Sequence, residues 1–227
     1  MAKSLTENPP RSHIKIFIVE DHPVFREGLE QVLNKEPGLT VCGAAEGTAQ
    51  ALKEIVRLQP DLVLVDIGLP GRSGLELIKE LRAADQKVKL LVISMHDEAL
   101  YADRVLRAGG DGYIMKQEDP EEIIHAIRDV LSGHIYVSEE VLGGTTQTPR
   151  GHSIKEKGRP LDQLTDLELE ILEGLGKGRT HREIAHQLRI SVAKVTAHCA
   201  QIRRKLKLKS ANALIRYAVC WVETGKA

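Results

Sequence analysis

The order of apolar and polar positions divides the chain in two. In the first half, short apolar runs alternate with stretches of helical spacing. Runs at Ile14–Val19, Leu39–Ala45, Leu62–Val65, 88–93 and Gly112–Met115 predict five strands. The stretches 23–33, 49–58, 74–81, 100–106 and 120–131 predict five helices, the first of them with Val24, Leu29, Val32 and Leu33 on its apolar face. Short continuous apolar runs, and a spacing near 3.6 between them, separate the two kinds of element. Strands that alternate with helices read as βαβ units around a parallel sheet, so this half is expected to be a doubly wound α/β domain.

The alternation stops at residues 143–160, GGTTQTPRGHSIKEKGRP, which are polar, rich in Gly, Thr, Lys and Pro, and without apolar period. Such a stretch reads as a linker. Beyond it only helical spacing remains. Thr165 with Glu168, and Thr180 with Glu183, are two T-x-x-E capping boxes ahead of apolar runs. Ser191 and Ser210 precede two further helices, about 192–206 and 210–222. A short helix, a tight turn and a long basic helix are helix-turn-helix geometry. The expected division is an arm at 1–12, an α/β domain at 13–135, a linker at 136–160 and a small all-α domain at 161–227.

Composition adds one fact the pattern lacks. The chain is neutral overall, yet residues 1–138 carry 16 Lys and Arg against 22 Asp and Glu (net −6), and residues 139–227 carry 16 against 10 (net +6). The basic half is the one expected to meet nucleic acid, and the opposed charges permit electrostatic docking between the halves. No segment approaches the roughly 20 apolar residues that span a bilayer, and residues 1–11 have no apolar signal region. Cys42, Cys199 and Cys220 fit neither a metal motif nor a disulfide framework, so a reducing cytoplasm is the simplest expected setting.

The strand ends carry the candidate chemistry. The first strand runs into Glu20 and Asp21, the third into Asp66, the fourth ends at Ser94, and Lys116 follows the fifth. In a parallel sheet these ends share one edge, where doubly wound folds bind ligands. Three carboxylates together call for a cation, and an all-oxygen set favours a hard ion such as Mg²⁺. Asp66 is then expected to be a nucleophile that becomes an aspartyl phosphate. Lys116 is expected to hold a phosphoryl oxygen as a point charge, and Ser94 to hydrogen-bond another. Gly68 keeps the backbone open beside the metal and offers its carbonyl.

The segments VEDHPVFREGL (19–29), LVDIGLPGRSGLE (64–76), ISMHDE (93–98) and AGGDGYIMK (108–116) resemble a response-regulator receiver, a flavodoxin-like fold. LTDLELEIL (164–172), REIAHQLRIS (182–191), VTAH (195–198) and RKLKLKS (204–210) resemble a LuxR-type helix-turn-helix. Together they resemble the NarL/FixJ family over nearly the whole chain. The resemblance implies Asp66 as phosphoacceptor, Glu20 and Asp21 as the metal-binding pair, and Ser94 and Lys116 as phosphoryl contacts. It also implies Tyr113 as the aromatic switch, a histidine kinase as phosphoryl donor, and a homodimer that binds double-stranded DNA once phosphorylated.

In the second half, the helix after Ser191 is the expected recognition helix, with Lys194, Thr196, Ala197 and Gln201 on its polar face. The family commonly has lysine where this chain has Thr196, which is expected to meet a base edge or a thymine methyl. Lys194, His198, Lys205, Lys207 and Lys209 are the expected phosphate contacts, with Thr180, His181 and Arg182 at the scaffold-helix start. Ala213, Leu214, Tyr217 and Trp221 on the last helix are the expected dimer residues. An alternative reading keeps the receiver as a phosphorylation-independent docking module. An aspartyl-phosphate hydrolase is disfavoured, because such enzymes need an acid two residues after the nucleophile and this chain has Gly68.

Overall fold

The computed structural model describes residues 13–84, 86–96, 98–138 and 160–224. The expected arm, 1–12, and most of the expected linker, 139–159, lie outside the described residues. Strands β1 (Ile14–Val19), β2 (Leu39–Ala45), β3 (Leu62–Val65), β4 (Lys89–Ser94) and β5 (Gly112–Met115) form one sheet in the order β2-β1-β3-β4-β5. Every neighbouring pair is parallel. Helices α1 (Pro23–Lys35), α2 (Thr48–Leu58), α3 (Gly74–Ala83), α4 (Glu98–Ala108) and α5 (Pro120–Ser132) cover both faces.

Alternation along the strands sorts the core into two layers. Phe17, Val19, Val63, Val65, Leu90, Val92 and Tyr113 face α2, α3 and α4. Ile16, Ile18, Leu62, Leu64, Leu91, Ile93 and Ile114 face α1 and α5. Because side chains on both faces are buried, these strands read as continuous apolar runs. Val24 departs from expectation. It is 85% exposed, because the first turn of α1 extends past the strand ends and leaves Leu29 and Leu33 to meet the sheet.

After a 3₁₀ turn at Pro160–Gln163 come α6 (Asp166–Gly176), α7 (His181–Gln187), α8 (Val192–Lys205) and α9 (Ala211–Thr224). Both capping boxes form reciprocally, Thr165 with Glu168 and Thr180 with Glu183, and Ser191 accepts from the Lys194 amide to cap α8. Arg189 adopts φ 50° in the turn between α7 and α8. Residues 136–138 stay with the sheet: the Tyr113 amide donates to Tyr136 O at 2.7 Å, and the Ser138 amide donates to Glu98.

The two halves are packed together. Buried side chains of α3 and α4 run into those of α6 to α9 as one contiguous core. Arg104 of α4 donates to the carbonyls of Leu161 (2.6 Å) and Leu164 (3.1 Å) and to Asp166 (3.2 Å), and Lys79 of α3 pairs with Asp166 at 3.0 Å. The opposed net charges permit docking between the halves, but in these contacts cations of the acidic half hold acids at the start of α6. Among the described ion pairs between the halves, Arg189 on Asp21 (3.1 Å) follows the net charge.

Candidate functional site

The sheet edge is built by chain reversals after β1, β3, β4 and β5. Where β3 ends, the Asp66 amide donates to Val19 O at 2.9 Å, which extends the β1–β3 ladder by one residue and fixes the carboxylate at the edge. The chain then folds back tightly. A Cβ on Gly74 would lie 2.0 Å from Asp66 O, so only glycine lets α3 begin there.

Four of the expected residues meet. Lys116 Nζ lies 2.8 Å from Asp66 Oδ2 and 2.5 Å from Glu20 Oε2. It also sits over the Phe25 ring, 4.8 Å from the centroid. Burial alone would lower the Lys116 pKa, but the charges and hydrogen bonds of Asp66 and Glu20 outweigh it and leave the ammonium favoured. Glu20 Oε1 accepts from the His22 amide at 3.0 Å and lies 2.9 Å from His22 Nδ1. Glu20, Asp21, His22 and Asp66 each offer a ligand atom within 4.8 Å of one another. Asp21 Oδ1 and Glu20 Oε2 are buried, and among the described residues their contacts are the ion pairs with His22 Nδ1 at 3.1 Å and Lys116 Nζ at 2.5 Å. Three buried or half-buried carboxylates gathered in this way fit a hard divalent cation.

Gly68 also meets Asp66 through its amide, which donates to Oδ1 at 3.2 Å, and an added Cβ would make only ordinary contact, 3.6 Å from Asp66.

Ser94 and Tyr113 converge one strand over, on a residue that sequence reasoning passed by. Ser94 Oγ accepts the His96 amide at 3.3 Å, and the Tyr113 hydroxyl donates to His96 O at 2.6 Å. The His96 ring stacks on Tyr101 at 4.8 Å, and its Nδ1 is 2.8 Å from Glu173 Oε2 on α6. Tyr101 also donates to that oxygen, at 3.2 Å. Burial opposes charge on both partners, yet their pairing raises the His96 pKa and, with Lys177, lowers Glu173 to about 2. The ion pair is thus the favoured state. ISMHDE contains the histidine, but its partner is 77 residues away in the other half. No local spacing could reveal that.

On the helix-turn-helix, Lys194, Thr196, Ala197 and Gln201 are exposed on α8, and Lys207 and Lys209 are exposed beyond it. Other expected contacts are engaged inside the chain. Lys205 Nζ pairs with Glu168 at 2.5 Å. Thr180 donates its amide (2.7 Å) and hydroxyl (2.8 Å) to Glu183, while His181 and Arg182 stand at the start of α7. Thr196 Oγ1 donates to Val192 O at 3.0 Å and approaches His181 Nδ1. His198 turns into the groove between the halves, beside Lys79, Arg104 and Asp166. The expected dimer set needs correction. Leu214 and Trp221 are 2% and 1% exposed, because the apolar stripe of α9 packs on α6, where a Cβ on Gly176 would lie 2.5 Å from Ala218 O. Ala213 and Tyr217 are half-buried, and Ile215 is the large apolar side chain α9 exposes.

A parallel sheet with an acidic strand-end cluster, joined to a capped helix-turn-helix, defines a two-domain regulator. The family model described as the response regulator receiver domain matches residues 16–128, and that for bacterial regulatory proteins of the luxR family matches 162–218. The fimbriae Z protein of Salmonella typhimurium is 33% identical over 205 residues, 89% of this chain and 95% of its own. The oxygen regulatory protein NreC of Staphylococcus carnosus is 33% identical over 210 residues, 91% and 97% of the two chains. A crystal structure of a LuxR-family two-component response regulator from Aurantimonas sp. superposes with a TM-score of 0.55 at 32% identity, covering 58% of this chain and 94% of that one.

The chain belongs to the NarL/FixJ family of DNA-binding response regulators. The family is one of regulators. Among the described residues, no helix is long and apolar enough to cross a membrane.

Proposed function

We propose that Asp66 accepts a phosphoryl group and that the modification controls how the second half binds DNA. The observation that carries this reading is Asp66 itself: 3% exposed, at a strand end, held by Lys116 and facing Glu20 and Asp21. The donor is a histidine kinase. The Asp66 carboxylate attacks phosphorus, an O–P bond forms as the donor's N–P bond breaks, and the departing imidazole takes a proton. Lys116 stays beside the oxygen it already holds and balances the incoming charge. Glu20, Asp21, Asp66 and the Gly68 carbonyl would hold Mg²⁺, which supplies screening of the charge that builds on the phosphoryl oxygens.

The reading extends to the DNA-binding half through Ser94. When its hydroxyl turns to the phosphoryl group, the His96 amide loses its acceptor and Tyr113 gains room to follow. His96 is also the residue that holds Glu173. Breaking one partner from a buried pair costs about 3–5 kcal/mol, whereas an exposed pair such as Lys79–Asp166 contributes roughly 0.2–1 kcal/mol. Movement of the Ser94–His96 loop therefore acts on a buried polar contact between the halves, and phosphorylation shifts the population toward the undocked state. The undocked form presents Lys194, Thr196, Ala197 and Gln201 to the major groove, with Lys207, Lys209, His181 and Arg182 against phosphates, and reads paired half-sites as a homodimer.

Intact mass after incubation with a small-molecule phosphodonor and Mg²⁺ tests the proposal. Wild type gains about 80 Da, one HPO₃, and Asp66→Asn and a metal-free control gain nothing. An equal gain in Asp66→Asn places the phosphoryl group elsewhere. No adduct in any sample returns the receiver to the role of a phosphorylation-independent docking module.

A further inference from the structure

The acidic cluster holds three carboxylates but one ammonium of its own half. Lys116 is divided between Glu20 and Asp66. Asp21 is left with His22 Nδ1 at 3.1 Å and with Arg189, whose guanidinium is 3.1 Å from Asp21 Oδ2. Arg189 comes from the turn of the helix-turn-helix. The Arg189 amide donates to His186 O at 3.2 Å and the Ile190 amide to Ala185 O at 3.0 Å, a closed turn that fixes the backbone at φ 50°. The side chain remains 60% exposed while it reaches an acid that is only 7% exposed.

We infer that Arg189 is a residue of the phosphorylation pocket: docked, it gives Asp21 the positive charge that a divalent cation would otherwise bring, so cation binding and docking of the DNA-binding half oppose each other. The inference rests on the proposed cation site. Its physical basis is short. A cation held by Glu20, Asp21 and Asp66 stands next to the guanidinium, and like charges a few ångströms apart repel. The carboxylate that Arg189 holds is also one of those that could meet the cation. Coupling of this kind is reciprocal, so whatever docking costs the cation, the cation costs docking.

The test is the Mg²⁺ affinity of the full chain, by calorimetry, in wild type, Arg189→Asn, Arg189→Lys and Asp21→Asn. Asparagine tolerates the left-handed backbone at this position, so the turn survives the loss of charge. Because the arginine is largely exposed, the expected gain for Arg189→Asn is about two- to fivefold tighter Mg²⁺. Arg189→Lys keeps the charge and stays at the wild-type affinity, and Asp21→Asn binds much more weakly than any of them. Equal affinity in wild type and Arg189→Asn, with Asp21→Asn still impaired, overturns the competition and leaves the cation site standing. Weaker binding by Arg189→Asn overturns it too. Absence of binding in wild type and in Arg189→Asn alike removes the cation site and the inference with it.

Discussion

Glu170 sits on α6 at the junction of the two halves, with Oε1 buried and unbonded. Burial is the main cause that pushes its pKa up to about 8, with Asp166, Glu173 and Asp66 adding to it and His96 opposing. A carboxyl raised on folding favours the native state while protonated, and that contribution is lost as pH rises from the unfolded value through the folded one. Glu170→Gln should therefore melt near wild type at pH 5 and several degrees above it at pH 9, read by calorimetric Tm; a difference independent of pH would contradict the assignment. Gly74→Ala should cost about 1–3 kcal/mol in a denaturant titration, since its Cβ would enter the Asp66 carbonyl. The sequence shows these two residues unequally. Gly74 lies in a motif beside Asp66, whereas Glu170 looks like any polar position of an amphipathic helix. His96 and Asp66 of the other half act on its charge, and no local pattern encodes that.

At the scale of elements, local signals were strong where they were complete within a few residues. The bounds of β1, β2, β3 and β5, the two capping boxes and the Ser191 cap follow from residue order, because each is satisfied by neighbours within one turn or one strand. The strand-end site was legible too, since a parallel sheet puts all those ends on one edge. Partners of long side chains were not. The basic run after residue 202 reads as uniformly free, yet Lys205 is bound to the buried Glu168 of the α6 capping box while Lys194 is exposed. The two should separate in binding to duplex DNA at varied salt. Lys194→Ala should lower the slope of log K against log salt by about 1. Lys205→Ala should leave the slope near wild type and lower Tm instead. Equal slopes for Lys194→Ala and wild type would remove Lys194 from the phosphate contacts. The apolar stripe of α9 shows the same limit: its period marks a buried face, but residue order does not say whether α6 or a second chain covers it.

Across the whole molecule, the described polar contacts between the halves cluster at three places. Arg104 and Lys79 hold the start of α6, His96 with Tyr101 holds Glu173 beside the acidic cluster, and Arg189 holds Asp21. The second place is within two residues of Ser94, so chemistry at Asp66 has a short path to the helix-turn-helix. Net charge foretold that the halves could attract, and the sequence placed acids and bases in each, but their pairing depends on the docked arrangement. The same arrangement fixes a pH sense for docking. His96, raised by Glu173, contributes below its folded pKa and loses that contribution as pH climbs through it. Glu173, lowered to about 2, contributes above the usual carboxylate range and loses it only in strong acid.

The most direct test of the central claim is amide hydrogen exchange of the full chain with and without phosphodonor and Mg²⁺, in wild type and Asp66→Asn. The peptides to read are those of Asp166–Gly176 on α6 and of Glu98–Ala108 on α4. Phosphorylated wild type should exchange faster in both, with Asp66→Asn unchanged, because losing the His96–Glu173 pair uncovers the two facing helices. A stoichiometric adduct on Asp66 that leaves exchange in both helices unchanged would contradict the account: phosphorylation would then occur without reaching the DNA-binding half by this route.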